Sequence, residues 1–272
     1  MDPVPLWPLV LVLVATALFA GVLAGLLGVG GGIVLVPVLD VALRKGGVTA
    51  DWSMHVAVAT SLATIIPTSI ASSRAHASRG AIDWSIARAW APGMLLGALA
   101  GSLIAARIPD ALLAAVFGVV AALVALKMFL PLDHLRLAAR VPRGLGGNAV
   151  AAVIGGVSAM MGIGGGTLSV PAMTLTGGAI HQAVGTAAFF GLLIALPGTL
   201  AYLLATPAAV MPPLTVGLVS LVALAIVAPC TMLTAPYGAR LAHSLPHRRL
   251  SQAFGVFLAV VAARMLYRAW SS

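Results

Sequence analysis

Two glycine clusters of the same make, 134 positions apart, interrupt an otherwise apolar chain. The first reads Ala24-Gly25-Leu26-Leu27-Gly28-Val29-Gly30-Gly31-Gly32-Ile33-Val34-Leu35-Val36-Pro37. The second reads Ser158-Ala159-Met160-Met161-Gly162-Ile163-Gly164-Gly165-Gly166-Thr167-Leu168-Ser169-Val170-Pro171. In each, Gly-x-Gly-Gly-Gly followed by proline breaks a segment that would otherwise run on as a helix. Broken helices at matching places in two halves of an apolar chain point to a transport site inside a membrane.

The surroundings of the clusters are those of a polytopic membrane protein. Of 272 residues, 61% are hydrophobic and 8% charged, where a soluble chain carries about 25% charged residues. Residues 1–7 hold Asp2 and no Lys or Arg, unlike the positively charged start of a cleaved export signal, so 6–27 is expected to be a retained first span. Cys230, the single cysteine, excludes an internal disulfide or a multi-thiolate metal site. The net charge of +9 is not the footprint of a nucleic-acid binder. The basic residues lie in or near short connections and segment ends, as cytoplasmic loops require.

Apolar segments are predicted at 6–27, 33–43, 53–73, 84–106 and 110–130, and again at 146–162, 167–177, 182–205, 213–236 and 250–268. The polar stretch 131–145 divides a first membrane repeat, 1–130, from a second, 146–272. The duplication extends beyond the glycines. His55-Val56-Ala57-Val58-Ala59-Thr60-Ser61 resembles His181-Gln182-Ala183-Val184-Gly185-Thr186-Ala187. Gly101, Pro109, Phe117, Gly118 and Met128 recur as Gly238, Pro246, Phe254, Gly255 and Met265. With five segments per half, alternate loops carry 10 and 5 basic residues; with four, the split is 9 to 6. The more lopsided count favours five, an odd number, and hence inverted repeats. The expected fold is an all-α membrane protein of eight to ten segments with a glycine-broken helix in each half.

Enzyme chemistry fits poorly. There is no Glu, and the six Asp are dispersed, so no carboxylate pair is spaced for two-acid hydrolysis. No His-Glu-x-x-His element or Walker-type phosphate loop is present; neither a catalytic nor a metal site is expected, and no cofactor. The glycine clusters offer a different chemistry. Irregular backbone at membrane depth is tolerable where it is buried in protein or lines a water-filled cavity. A helix restarting at Ile33 or Thr167 aims unpaired N–H groups and a positive dipole end at such a place, and this binds anions without a charged side chain. Gly28, Gly30, Gly31, Gly32, Ile33, Gly162, Gly164, Gly165, Gly166 and Thr167 are therefore candidate substrate-binding residues, with Pro37 and Pro171 as hinges. The alternative is that these glycines only let helices pack closely.

The paired Gly-x-Gly-Gly-Gly-x-x-x-x-Pro elements, with Ala59-Thr60-Ser61 and Gly80-Ala81-Ile82-Asp83-Trp84, resemble the TauE/SafE sulfite exporter family, also called the toluene sulfonate uptake permease family. The resemblance covers essentially the whole chain. It implies a multi-pass secondary transporter of the bacterial inner membrane that carries a small sulfur-containing or organic anion, often outward. Its partners would be that anion and the lipid bilayer, with no nucleic acid; a homodimer is left open. The chain departs from symmetry at Ala187, where the first half has Ser61.

Further candidates each carry two readings. Thr60, Ser61 and Thr186 would donate hydroxyls to the anion, or bond the preceding helical turn. His55 and His181 stand where helices restart, as caps or as proton-coupling groups. Asp40 pairs with Arg44 four residues on, or faces the site as a proton carrier. Trp52, Trp84, Trp90 and Trp270 suit an interfacial aromatic belt. No nucleotide-binding element is present, so export against a gradient would draw on the proton-motive force. A passive anion channel and a non-transporting scaffold subunit are the other two functions considered.

Overall fold

The computed structural model describes residues 6–27, 31–130, 141–207, 211, 214–242 and 247–271. The first five helices are α1 (Leu6–Leu27), α2 (Gly32–Lys45), α3 (Ser53–Ala77), α4 (Trp84–Ala105) and α5 (Asp110–Phe129). They are followed by α6 (Gly144–Met161), α7 (Gly166–Leu175), α8 (Ile180–Leu203), α9 (Leu221–Ala242) and α10 (His247–Ser271). Ahead of α9, β1 (Thr215–Val216) and β2 (Val219–Ser220) form a small antiparallel hairpin. Among the described residues seven helices are long and apolar enough to cross a membrane: α3, α4, α5, α6, α8 and stretches of α9 and α10. This is a multi-pass, all-helical membrane protein.

Helix α3 is the innermost span, with α8 next, and they pack on one another. Around them α4 packs on α6, α1 on α9 and α5 on α10, while α4 also touches α8 and α3 touches α9. Replacing each helix by the one five places along exchanges these pairs among themselves. Gly118 lies against Leu266, and Gly255 against Met128 and Phe129, so α5 and α10 run antiparallel. So do α3 and α8, with Ser69 beside Gly191 and Leu62 beside Gly198. The α4–α6 contact is parallel and close. A Cβ at Gly97 would fall 2.6 Å from the Ala152 Cα, and one at Gly101 would fall 2.7 Å from the Gly156 Cα. Small residues four apart let these backbones meet without a hydrophobic driving force between helices.

Three details depart from the sequence expectation. The segment placed at 213–236 is a hairpin followed by a helix starting at Leu221 and ending at Ala242. The hairpin is held by Leu218 N–H on the Tyr202 carbonyl, 3.0 Å, and the helix runs through both Pro229 and Pro236. Trp90 is not interfacial: it is fully buried, stacks on Phe190 at 5.8 Å and donates its indole N–H to the Pro142 carbonyl. That bond, with buried Val141, packs the C-terminal end of the expected linker onto the bundle; residues 131–140 lie outside the described residues. Trp84 and Trp270 are exposed as a belt requires.

The antiparallel α5–α10 pair can be checked directly. In a Cys230→Ser background, Met128→Cys with Gly255→Cys should oxidise to a disulfide, since the two Cβ positions lie 3.1 Å apart and a small outward adjustment reaches the distance of about 3.5–4.5 Å that disulfides span. With a protease site placed in 131–140, the two halves should stay joined on a non-reducing gel. Separation of the halves would show that α10 does not run against α5 in this register.

Candidate functional site

The two breaks meet inside the bundle. Helix α6 ends at Gly162, whose φ of 66° lies in the left-handed region. Ile163 N–H bonds the Ser158 carbonyl at 3.0 Å and Gly162 N–H bonds Ala159 at 3.3 Å, the paired closure of a Schellman motif. A Cβ at Gly162 would also come within 2.9 Å of the Val58 backbone. The other break is built differently: Gly31, φ 73°, is left-handed immediately before α2, whereas Gly165 before α7 is right-handed at φ −61°. A side chain on Gly32 would overlap the Gly162 carbonyl oxygen and lie 2.9 Å from Ile163 Cα. The start of α2 thus rests on the α6–α7 break.

Ser61 ties this junction. Its hydroxyl donates to the Gly162 carbonyl at 2.7 Å, fully buried. Ala187, its counterpart by sequence, brings a backbone carbonyl against Gly165 instead. The N–H groups of Gly32 and Ile33, and of Gly166 and Thr167, precede the intrahelical ladder. All four residues are buried. In the first turn of α7, Thr167 Oγ1 and Ser169 Oγ are buried and have no hydrogen-bond partner. Gly164 is buried in the same break; Gly28 and Gly30 lie outside the described residues. Both α2 and α7 continue through Pro37 and Pro171.

Thr60 and Thr186 sit on the two central helices and make matching bonds. Thr60 Oγ1 accepts Ser220 N–H at 3.0 Å, and Thr186 Oγ1 accepts Asp83 N–H at 2.9 Å. Ser220 immediately precedes α9, and Asp83 precedes α4. Each bond therefore holds a helix start about two turns below the beginning of the threonine's own helix, roughly 10 Å at 1.5 Å per residue.

At one end of the bundle an ionic cluster joins four helices. Asp40 on α2, fully buried, forms an ion pair with Arg268, whose Nη1 lies 2.9 Å from Oδ1, and accepts the Ser53 hydroxyl on the same oxygen at 2.8 Å, with Arg44 3.6 Å away. Asp110, first residue of α5, accepts Met54 N–H at 2.8 Å and faces His55 Nδ1 at 3.1 Å through Oδ1, while its Oδ2 takes Arg268 Nη2. His55 Nε2 faces the Ile108 carbonyl at 3.1 Å. Both neighbours of the ring are acceptors, and a neutral imidazole has one N–H to give. One turn deeper, Arg264 Nη1 reaches the Pro37 carbonyl at 3.3 Å. Of the three proton-coupling candidates, Asp40 and His55 come together here; His181 is exposed at the start of α8.

Asp110 and Arg268 were not legible as site residues, because an acid at a helix start and a base at a helix end are ordinary boundary features. The available signal was Arg264 with Arg268, two bases four apart in the otherwise apolar stretch that begins at Phe254. Removing one partner of such a buried pair costs about 3–5 kcal/mol, whereas replacing the whole set with neutral residues costs much less. Arg268→Leu should therefore lower thermal stability in detergent strongly. The triple change Asp40→Asn, Asp110→Asn, Arg268→Gln should recover most of the loss. A single variant as stable as wild type would mean the cluster is solvated.

Comparison with known proteins agrees in extent with these features. The sequence model of the family described as Sulfite exporter TauE/SafE matches residues 13–265. A probable membrane transporter protein of Haemophilus influenzae is 32% identical over 252 residues, covering 92% of this chain and 95% of that protein. The probable membrane transporter protein YunE of Bacillus subtilis is 29% identical over 182 residues, 60% of this chain and 67% of its own length. A probable membrane transporter protein of Xylella fastidiosa is 33% identical over 163 residues, 56% of this chain and 58% of its own length. No solved structure matches.

Proposed function

This chain belongs to the sulfite exporter TauE/SafE family and is a multi-pass transporter of the inner membrane, and on that premise we propose that it exports sulfite or a small sulfonate held between the starts of α2 and α7. The observation that carries this reading is the junction of the two breaks, where two helices start and the hydroxyls of Thr167 and Ser169 are buried and unpartnered. Backbone donors at a helix N-terminus favour anions, and a hydroxyl without a partner has a proton to offer. Three oxygens of a sulfite or sulfonate can take several such donors at once. The bases Arg74 and Arg88 are exposed, whereas the residues of the junction are buried.

The antiparallel run of α3 with α8 and of α5 with α10 supports inverted repeats. Among the described residues Arg74, Arg79, Arg88, Lys127 and Arg143 then lie at the end where α4 and α6 begin, which the positive-inside rule puts in the cytoplasm. The ionic cluster falls at the opposite, outer end. Proton influx there would drive anion export, with the two halves rocking about the shared junction as alternating access requires.

Thermal-shift screening of the purified chain with sulfite, thiosulfate, sulfate, sulfoacetate and taurine should find one class that raises apparent stability, because a ligand of the native state does so. Thr167→Val should then weaken that binding roughly ten- to a hundredfold, the about 1.5–3 kcal/mol of a hydrogen bond to a charged group. Arg74→Gln and Arg88→Gln should leave it nearly unchanged. Complete loss of binding in either arginine variant, with folding preserved, would place the anion on a cationic side chain instead. Flux in proteoliposomes that ignores an imposed pH gradient would favour a passive channel.

A further inference from the structure

Asp40 differs from Asp110 in one respect that matters chemically. Both oxygens of Asp110 are occupied: Met54 N–H and His55 on Oδ1, Arg268 on Oδ2. The Ser53 hydrogen bond and the ion pairs with Arg268 and Arg44 all fall on Asp40 Oδ1, and Oδ2 is buried with no hydrogen-bond partner. A proton arriving at Asp110 must displace a donor; one arriving at Asp40 Oδ2 displaces none. We propose that Asp40 Oδ2 is the proton-binding site of the transporter and that Arg268, shared between two carboxylates, is the counter-ion whose hold on α2 the proton weakens.

The charged and titratable surroundings of Asp40 are few. Helix α3 contributes His55, α5 contributes Asp110, α10 contributes Arg264 and Arg268, and α2 itself contributes Arg44. Helices α1 and α6, which also pack on α2, carry no ionisable side chain. Asp51, in the turn after α2, is exposed. When Asp40 is charged, Arg268 binds α2 and α5 together across α10. When a proton from water forms an O–H bond at Oδ2, Asp40 becomes neutral and the net charge of the cluster rises by one. Arg268 then keeps Asp110 as its charged partner.

What this changes is the anchoring of α2. The helix runs from Gly32, seated on Gly162, to Asp40, eight residues on, about 12 Å along the axis. It is a short rod with the break at one end and the ionic latch at the other. Loosening the latch frees α2 to shift at the junction where the anion is proposed to sit. This inference rests on the transport reading for its consequence, but the proton site stands or falls separately.

Infrared difference spectra of the full chain in lipid, between acidic and alkaline buffer, report carboxylic C=O bands directly. A buried carboxyl band that forms on acidification is expected. It should vanish in Asp40→Asn and persist in Asp110→Asn. It should also shift in Ser53→Ala, since Ser53 donates to Asp40 and not to Asp110; this arm serves if Asp40→Asn fails to fold. In proteoliposomes, Asp40→Asn should lose the acceleration of anion flux by an imposed pH gradient. A band lost only in Asp110→Asn, or wild-type spectra without any titrating carboxyl band, overturns the assignment. Absence of exchange in wild type at equal pH would instead overturn the transport reading and leave the infrared result standing.

Discussion

A polypeptide inside a bilayer has no water to take up unused N–H and C=O groups, so an interrupted helix persists only if protein closes the interruption. In this chain the closure is mutual. The start of α2 is pressed against the α6–α7 break, so closely that Gly32 has no room for a side chain. The exposed carbonyl of that break is taken by Ser61 from α3. The α6–α7 break is walled by Val58 of α3 and Val36 of α2 on one side and by Ala187 and Phe190 of α8 on the other. The Thr60–Ser220 and Thr186–Asp83 bonds extend the same logic, each half using a hydroxyl to start a helix of the other.

What the closure leaves over is chemically selective. The Gly162 carbonyl has Ser61 as its partner, while two hydroxyls of α7, those of Thr167 and Ser169, are left without one. Unpartnered hydroxyls where two helices start are the donor set that suits an anion. Charge is concentrated elsewhere, at the end of the bundle where α2 finishes. Burying Asp40, Asp110 and Arg268 together is costly and gives little net stability. Their arrangement makes better sense as a coupling between α2 and the outer helices than as a staple.

Much of this was readable from the sequence because lipid makes the rules strict. Apolar runs had to be helices, and the boundaries of α1, α3, α4, α5 and α8 fell within a few residues of expectation. The glycine clusters read as breaks because three consecutive glycines and a following proline recur at matching places in otherwise apolar runs. The hairpin before α9 was hidden because its residues, including Val216, Leu218 and Val219, are as apolar as the helix that follows; only the Tyr202 carbonyl and the Thr60 hydroxyl, both distant in sequence, determine where the helix starts. Trp90 was hidden for a similar reason, since an interfacial tryptophan and a buried one read alike until Phe190 and Pro142 are brought alongside. Asp40 and His55 were visible as candidates. Their partners Asp110 and Arg268 are 70 and 228 positions from Asp40, beyond any local pattern.

The central claim is that the junction of the two breaks holds the anion. Anomalous scattering from crystals of the Cys230→Ser chain soaked in selenite, the heavier analogue of sulfite, locates the anion without assumptions about side chains. The account predicts a selenium peak within hydrogen-bonding reach of Thr167 Oγ1 and the first N–H groups of α2 and α7. A peak against Arg264 or Arg268, with none at the junction, would contradict it.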